Sequence, residues 1–339
     1  MQTRGGIEPP DAAAPRTWLV LGEKAGDNAQ VLAIAEALGW PCESRRIAMQ
    51  ERWRLGKPRV RATLAHVDTA RSDALMPPWP DLVITSGRRL SSVALWIAEQ
   101  SRATKLVIVG RPRRLARRFD LIVASAQYRI AAAPNVLRLE LPLMRVDHAA
   151  VEAAARQWHA RLAPLSRPIT AVLVGGPTKP VVFDAAGARE LLARATAVAD
   201  GGTLYVTTSR RTPPALGDAI RASLPPHAVL FAWSADEPAE NPYLALLGLA
   251  DRFVVTSDSV SMMVEVARLG RPLAIHVLPS ARSRWIGRVA SRRDLEAVPA
   301  RLIERGLAVR LGDPFRAPTA APPDELALVA ARIRALFSG

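Results

Sequence analysis

The sequence lacks cysteine pairs and long apolar runs. Cys42 is the only cysteine among its 339 residues, so an intramolecular disulfide and a cysteine-based zinc site are excluded. The first segment, MQTRGGIEPPDAAAP, has no apolar core of the kind that signal peptides carry. Nowhere do about 18 apolar residues run uninterrupted, as a membrane-spanning helix requires. We therefore expect a cytoplasmic protein in a reducing compartment.

Signals for metal and nucleic-acid binding are also missing. No Asp-x-Asp manganese motif is present, and the histidines show no ligand spacing: His66, His148, His159, His227 and His276. No helix-turn-helix, zinc-finger or RNA-recognition signature accompanies the basic residues. We therefore expect neither a metal nor a nucleic-acid partner.

The charge is strongly positive, with a formal net value of +15. Basic residues concentrate at 45–61, 102–118 and 282–293, without the stacking aromatics that a single-strand binder interleaves. Two interpretations stay open. The arginines form a solvated face, or they rest on anionic lipid headgroups, where each well-placed arginine adds about 1 kcal/mol. The second would place the protein peripherally on the inner face of a membrane.

What the sequence does contain is a repeated alternation of short apolar runs and helical patterns, with 49% hydrophobic and 23% charged residues. Predicted strands are 17–21, 81–85, 105–109, 121–124, 136–139, 169–174, 203–208, 229–233 and 253–255. Predicted helices are 28–38, 90–100, 149–163, 243–249 and 323–337. Such alternation predicts an α/β fold of two Rossmann-like domains, whose parallel sheets face each other across a cleft that holds the ligands.

Domain limits follow from the breaks in this pattern. We expect a disordered tail (1–16), an N-terminal Rossmann-like domain (17–147), a linker helix (148–168) and a C-terminal Rossmann-like domain (169–320). The last segment (321–339) is predicted to be a helix that crosses back to the first domain.

The segment RFVVTSDSVSMMVEVARLGRPL (252–273) is the most informative stretch. It predicts a buried strand, a polar turn, a helix and a second strand, with Ser257, Asp258 and Ser259 supplying N-cap side chains. The first turn of this helix, with its free N–H groups and positive dipole end, suits a phosphate. Glu265, one to two turns further on, is placed to accept hydrogen bonds from ribose hydroxyls.

Four polar turns at successive strand ends of the second domain are predicted to bind a nucleotide through its pyrophosphate. In them, glycines admit a pyrophosphate, arginines offset its charge and serines begin a helix. Trp233 either stacks on the base or packs internally. The residues predicted to bind this nucleotide are Gly175, Gly176, Lys179, Ser209, Arg210, Arg211, Trp233, Asn241, Asp258, Ser259, Ser261, Met262 and Glu265.

The first domain carries the candidates for acid–base chemistry. Glu23 and Asp27 lie four residues apart across a glycine turn, and either carboxylate could point into the cleft to act as a base. Asp27 is alternatively the cap of a helix that begins at Asn28. The residues of this domain predicted to meet an anionic ligand are Gly22, Ser86, Gly87, Arg88 and Arg111.

Six segments carry a family resemblance: WLVLGEKAGDNAQVLAIAEALG (18–39), PDLVITSGRRLSSVALWI (80–97), VIVGRPR (107–113), VLVGGPTK (172–179), YVTTSRRTP (205–213) and NPYLALLGLADRFVVTSDSVSMMVEVARLGRP (241–272). They resemble the Elm-type family named for a plant mitochondrial-fission factor, whose bacterial members are described as predicted glycosyltransferases. The resemblance implies the glycosyltransferase-B fold. By this resemblance, the nucleotide-binding residues of the C-terminal half are expected to hold a nucleotide-sugar donor. The anion-binding residues of the N-terminal half are expected to meet an acceptor, whose hydroxyl loses a proton to a base. It also implies that Glu23, by its Gly-Glu context, is the base.

The leading functional hypothesis is therefore a metal-independent glycosyltransferase, without a cofactor, that moves a sugar from a nucleotide to an envelope or lipid-linked acceptor. A hydrolysing sugar-nucleotide 2-epimerase shares this fold and consumes nucleotide sugar alone. A non-catalytic scaffold, as in organelle fission, is the third class, and loss of Glu23 would leave it unaffected.

Overall fold

A computed structural model describes residues 14–54, 61–178, 181–234, 240–280 and 294–338. The chain divides into two compact units. The first comprises Met1–Val123, Ala132–Leu137 and Leu326–Gly339, and the second comprises Ala124–Ala131 and Arg138–Glu325. The described residues form two six-stranded sheets.

The first sheet has the order β2-β1-β3-β4-β5-β6, and the pairs from β1 to β5 are parallel. The direction in which the chain adds strands reverses between β1 and β3, so this is the switch point of the sheet. The elements are β1 (Thr17–Leu21), α1 (Ala25–Leu38), β2 (Cys42–Arg46), α2 (Glu51–Arg54), β3 (Leu82–Ser86), α3 (Arg88–Gln100), β4 (Lys105–Val109), β5 (Leu121–Ser125) and β6 (Val136–Leu139). Short 3-10 helices lie at Thr69–Arg71 and Arg113–Arg118.

The second sheet has the order β12-β11-β10-β7-β8-β9, with parallel pairing throughout. Its switch point lies between β7 and β10. The elements are α4 (His148–Leu162), β7 (Thr170–Leu173), α5 (Ala185–Ala197), β8 (Leu204–Thr207), α6 (Pro214–Ala222), β9 (Val229–Phe231), α7 (Tyr243–Leu249), β10 (Arg252–Thr256), α8 (Val260–Arg268), β11 (Leu273–His276), α9 (Ala297–Glu304) and β12 (Val309–Arg310). The prediction of two parallel-sheet α/β domains is confirmed.

Both faces of the second sheet are buried. Along β10, Phe253 and Val255 belong to one apolar cluster, while Val254 belongs to the cluster on the opposite face. Because successive side chains of a strand point to opposite faces, a strand covered on both sides reads as a continuous apolar run. This explains why the central strands could be located from the sequence.

The last helix, α10 (Glu325–Arg334), packs within the first unit. The Arg334 guanidinium donates to the carbonyl oxygens of Ala37 and Leu38, at 3.2 and 2.9 Å. Just beyond the helix, Phe337 meets Trp40 edge to face, with ring centroids 5.7 Å apart. The two Arg334 hydrogen bonds satisfy carbonyl oxygens in the last turn of α1, where a helix leaves its carbonyls unpaired.

Two capping predictions were wrong. Helix α1 begins at Ala25 with Lys24 at its N-cap, so Asp27 lies inside the first turn and does not cap a helix beginning at Asn28. Helix α8 has Ser259 at its N-cap without a side-chain cap hydrogen bond. The Ser257 side chain makes a different hydrogen bond, in which its Oγ accepts the Leu278 N–H at 3.0 Å.

None of the helices in the described ranges is both long and apolar enough to cross a membrane.

Candidate functional site

The switch point of the second sheet joins two polar turns, the one after β7 and the one after β10. The Gly175 N–H donates to Thr256 Oγ1 at 2.9 Å, and the Gly176 N–H donates to Asp258 Oδ2 at 2.8 Å. Both backbone donors and both acceptors are buried. The two turns, 81 and 82 residues apart along the chain at these bonds, are therefore held as one structure.

Asp258 also forms an ion pair with Arg211. The Arg211 guanidinium lies 3.1 Å from Asp258 Oδ2, where the carboxylate side chain is 0% exposed and the arginine 40% exposed. A second nitrogen of the same guanidinium donates to Thr178 Oγ1 at 2.6 Å. The other carboxylate oxygen, Oδ1, is buried without a hydrogen-bond partner in the described part of the chain. Two contacts thus fix a half-exposed cation at the switch point.

Burial raises the pKa of Asp258 above its usual value. The Gly176 N–H and the Arg211 guanidinium lower that pKa and offset part of the effect. A buried carboxylate is costly unless it is paired, so Arg211 is needed most when Asp258 is ionised.

Replacing Arg211 by alanine is expected to destabilise the protein by about 1–2 kcal/mol at about pH 7, and by less at about pH 4. Because burial raises the pKa of Asp258, the folded chain holds this proton more tightly than the unfolded chain. The contribution of this group to stability therefore falls as the pH rises from the acid range through its folded pKa. Removing the cation raises that pKa further, so the added loss is greatest where Asp258 is ionised. Urea unfolding at both pH values measures the loss in the free energy of unfolding.

The control for this prediction is Arg210→Ala, since Arg210 is the exposed neighbour of Arg211. We expect it to change stability by no more than about 0.5 kcal/mol at either pH. Equal losses for Arg211→Ala at the two pH values would contradict the ion pair as their cause.

The turn after β8 is tied to the turn after β7. The Ser209 hydroxyl donates to the Gly175 carbonyl oxygen at 3.0 Å, and the Thr212 hydroxyl donates to the same oxygen. The Arg210 side chain is exposed beside them. Three of the four predicted donor turns therefore form one hydrogen-bonded cluster around Gly175.

The first turn of α8 follows this cluster directly. Ser259 is buried, Ser261 is exposed, and Met262 is partly buried against the apolar cluster below. Since Ser259 makes no side-chain cap, the first N–H groups of α8 find no cap among the described residues and are left for water or a ligand.

The remaining predicted donor residues lie at α7, α8 and the end of β9. The Tyr243 hydroxyl on α7 donates to Glu265 Oε2 on α8. Asn241 Oδ1 accepts the Tyr243 N–H at 2.9 Å. Trp233 is 39% exposed, and its backbone N–H donates to Thr208 Oγ1 at 2.8 Å. Lys179, which was also predicted to bind the donor, lies outside the described residues.

In the first unit, Asn28 holds the turn after β1. Its side chain accepts the Gly22 N–H at 3.0 Å and donates to the Gly22 carbonyl oxygen at 2.7 Å. Glu23, next along the chain, is exposed. Asp27 Oδ2 lies 3.2 Å from where a Cβ on Gly87 would stand, so the turns after β1 and β3 meet at this switch point.

The other predicted acceptor residues have different environments. Ser86 is buried, and its hydroxyl donates to the Val109 carbonyl oxygen at 3.1 Å, which gives it a structural use. Gly87 has a φ of +81°, a conformation that favours glycine. Arg88 is partly buried and Arg111 is exposed. They follow the neighbouring strands β3 and β4 and so share one edge of the sheet.

Several residues at these sites were not predicted. Thr178, Thr212 and Thr256 bind the turns of the second unit together, while Asn28 and Tyr243 orient neighbouring candidates. The sequence feature that could have indicated them is a polar side chain just beyond the end of a strand. In the described ranges, no three His, Cys, Asp or Glu side chains cluster as a metal site would require, and metal independence stays a prediction.

Comparison with known proteins identifies the family. The family model described as mitochondrial fission ELM1 matches residues 25–337. The chain belongs to this family. Its curated relatives include the mitochondrial fission protein ELM1 of Arabidopsis thaliana, 28% identical over 233 residues, or 61% of this chain and 53% of that protein. An uncharacterized protein of Rickettsia prowazekii is 23% identical over 302 residues, covering 78% of this chain and 84% of that protein.

The chain thus spans about half the length of the Arabidopsis relative. Among solved structures, UDP-GlcNAc 2-epimerase of Methanocaldococcus jannaschii has a TM-score of 0.50 at 11% identity, covering 96% of this chain and 100% of that one. Arabidopsis UGT89C1 in complex with UDP has a TM-score of 0.50 at 10% identity, covering 94% and 89%. At these identities the likeness concerns the fold, which is the predicted glycosyltransferase-B type.

Proposed function

We propose that this protein binds a nucleotide sugar through its second unit and transfers the sugar, without a metal ion, to an envelope or lipid-linked acceptor. The observation that carries this proposal is the uncapped N-terminus of α8, which follows Asp258 at the switch point. Free N–H groups and the positive end of the dipole favour a diphosphate there. Arg211, held by Asp258 and Thr178, adds a cation of fixed orientation.

The other groups take complementary roles in this proposal. Arg210 is exposed and adds positive charge for the leaving diphosphate. Glu265 accepts hydrogen bonds from the ribose hydroxyls, and the exposed part of Trp233 is available to stack on the base. Solved structures of the same fold support this choice of ligand, since one is a UDP-GlcNAc 2-epimerase and another is a complex with UDP.

In the first unit, Glu23 is proposed as the base that takes a proton from the acceptor hydroxyl. Arg88 and Arg111 would meet negative charge on that acceptor. The net charge of +15 supports peripheral contact with an anionic membrane surface, where a lipid-linked acceptor would be found.

Two other functions have an observation in their favour. A hydrolysing sugar-nucleotide 2-epimerase is favoured by the fold shared with the Methanocaldococcus enzyme, and it would consume the nucleotide sugar without an acceptor. A non-catalytic scaffold is favoured by the name of the Arabidopsis relative. Transferase and epimerase both require nucleotide binding, whereas the scaffold does not.

A thermal-shift panel of UDP, GDP, ADP, TDP and CMP, with their common sugar derivatives, tests the proposal. A ligand at about 100 times its dissociation constant is expected to stabilise the wild type by about 2.7 kcal/mol. Glu265→Ala should reduce the shift, because it removes the acceptor for the ribose hydroxyls. The nucleotide that stabilises the wild type most identifies the base.

The matched control is Glu304→Ala, which removes an exposed carboxylate at the end of α9 that pairs with Arg301. It should keep the full ligand-induced shift. No stabilisation of the wild type by any nucleotide would contradict transferase and epimerase alike, and would favour the scaffold.

A further inference from the structure

Tyr243 and Glu265 form a hydrogen-bonded pair between two helices of the second unit. The Tyr243 hydroxyl, at the start of α7, donates to Glu265 Oε2 on α8. Both side chains are partly buried, and the tyrosine ring packs against the apolar cluster under the sheet. In this geometry the ring cannot follow a moving carboxylate without losing its apolar contacts.

The hydrogen bond leaves half of the carboxylate for a ligand. Among the residues that the structure describes, none donates to the second oxygen, Oε1. Tyr243 thus occupies one oxygen, fixes the plane of the carboxylate and leaves the other as an acceptor. A carboxylate that is held in place loses less conformational entropy when it binds a hydroxyl.

The protonation states agree with this arrangement. Burial, with the neighbouring carboxylate, raises the pKa of Tyr243 well above its usual value, so the phenol keeps its proton and remains the donor. Burial raises the pKa of Glu265, and the hydrogen bond from Tyr243 lowers it. Tyr243 therefore favours the ionised carboxylate, the form that accepts hydrogen bonds from ligand hydroxyls.

Tyr243 is in turn fixed by Asn241. The Asn241 side-chain oxygen accepts the Tyr243 N–H, which sets the backbone at the beginning of α7. Asn241, predicted from the sequence to touch the donor, has its oxygen engaged in this turn. Asn241 therefore positions Tyr243, and Tyr243 positions Glu265.

We propose that Tyr243 is a positioning residue that fixes the Glu265 carboxylate toward the ribose hydroxyls of the nucleotide, and so sets the preference for ribose over 2′-deoxyribose. This inference rests on the proposed function, which supplies the nucleotide. Tyr243 itself need not touch the ligand, because it acts through Glu265.

The test is isothermal titration of wild type, Tyr243→Phe, Glu265→Ala and the double variant with four nucleotide pairs. The pairs are UDP, GDP, ADP and CDP, each with its 2′-deoxy analogue. For the pair that binds, we expect Tyr243→Phe to weaken ribonucleotide affinity about threefold to tenfold, as for one hydrogen bond. The affinity for the 2′-deoxy analogue should change less, so the discrimination falls.

The double variant separates positioning from a general structural effect. If Tyr243 acts through Glu265, adding Tyr243→Phe to Glu265→Ala should cause no further loss. Tyr205→Phe is the matched control, because it removes a tyrosine hydroxyl from β8, within the same unit. It should leave the discrimination at the wild-type value.

The outcomes are distinguishable. A wild type that binds none of the nucleotides overturns the proposed function and this inference with it. A wild type that binds a ribonucleotide, with Tyr243→Phe retaining full affinity and discrimination, overturns the inference alone. Equal wild-type affinity for the ribo and 2′-deoxy forms also overturns it, and so do additive losses in the double variant.

Discussion

Replacing Gly176 by alanine is expected to destabilise the protein by about 3 kcal/mol. An added Cβ would stand 2.0 Å from the Arg211 carbonyl oxygen and 2.4 Å from its carbonyl carbon. Both are backbone atoms, so relief requires the turns after β7 and β8 to separate. Separation would strain the hydrogen bonds that join Ser209 and Thr212 to Gly175. Urea unfolding measures the loss.

Gly175→Ala should be costly for a different reason. Its Cβ would stand 2.1 Å from Asp258 Oδ2, so the carboxylate would have to move. That movement would break its hydrogen bond with the Gly176 N–H and its ion pair with Arg211. Because Asp258 is buried, the displaced carboxylate has no access to water in compensation.

Gly217→Ala is the matched control in the same unit. Gly217 lies inside α6, and a Cβ there would meet nothing within 4 Å. The variant should be more stable than the wild type by about 0.5–1 kcal/mol, because alanine restricts the unfolded chain and favours the helix. Equal stability of Gly176→Ala and Gly217→Ala would contradict the close approach at the switch point.

These distances also give a different reason for the two glycines, Gly175 and Gly176. From the sequence, Gly175 and Gly176 were predicted to let a pyrophosphate approach the backbone. In the structure, Asp258 and the Arg211 backbone already require glycine at both positions. Close packing between turns therefore accounts for the glycines, while their contact with a ligand stays a prediction.

Strands buried on both faces could be predicted because burial leaves an apolar run in the sequence. The predicted limits of β1, which is buried along its whole length, and of β4 agree with the structure, as do those of α7. Strand β2 was not predicted, because its sequence CESRR is polar. As an edge strand it pairs with β1 alone and needs no apolar run, so its pairing depends on a neighbour distant in the sequence.

The candidate site was predictable as a set of turns but not as a set of contacts. A polar turn after a buried strand is visible in the sequence, whereas the strand order that makes two turns neighbours is not. The bond from Gly176 to Asp258 spans 82 residues, and it depends on β7 and β10 being adjacent. Likewise, the bond from Tyr243 to Glu265 depends on how α7 and α8 pack.

Glu23→Gln is expected to lower the catalysed release of nucleoside diphosphate by about 10²–10⁴-fold, the usual contribution of a general base. Glutamine keeps the size of the side chain but does not take a proton. Glu23 is exposed in the turn after β1, and Asn28 holds the adjacent Gly22 by two hydrogen bonds. The turn is thus fixed while the carboxylate remains accessible, as the role of a base requires.

Asp27→Asn is the matched control, because Asp27 is the second carboxylate of the same region and lies beside Gly87. The measurement is a coupled assay of diphosphate release from the nucleotide sugar that stabilises the protein, with titration confirming that each variant still binds it. We expect Asp27→Asn to lose less than about tenfold, because Asp27 is partly buried and its carboxylate lies against Gly87, which limits its access to an acceptor. A strong loss for Asp27→Asn with an active Glu23→Gln would assign the base to Asp27. Full activity of both variants would contradict a base in this turn.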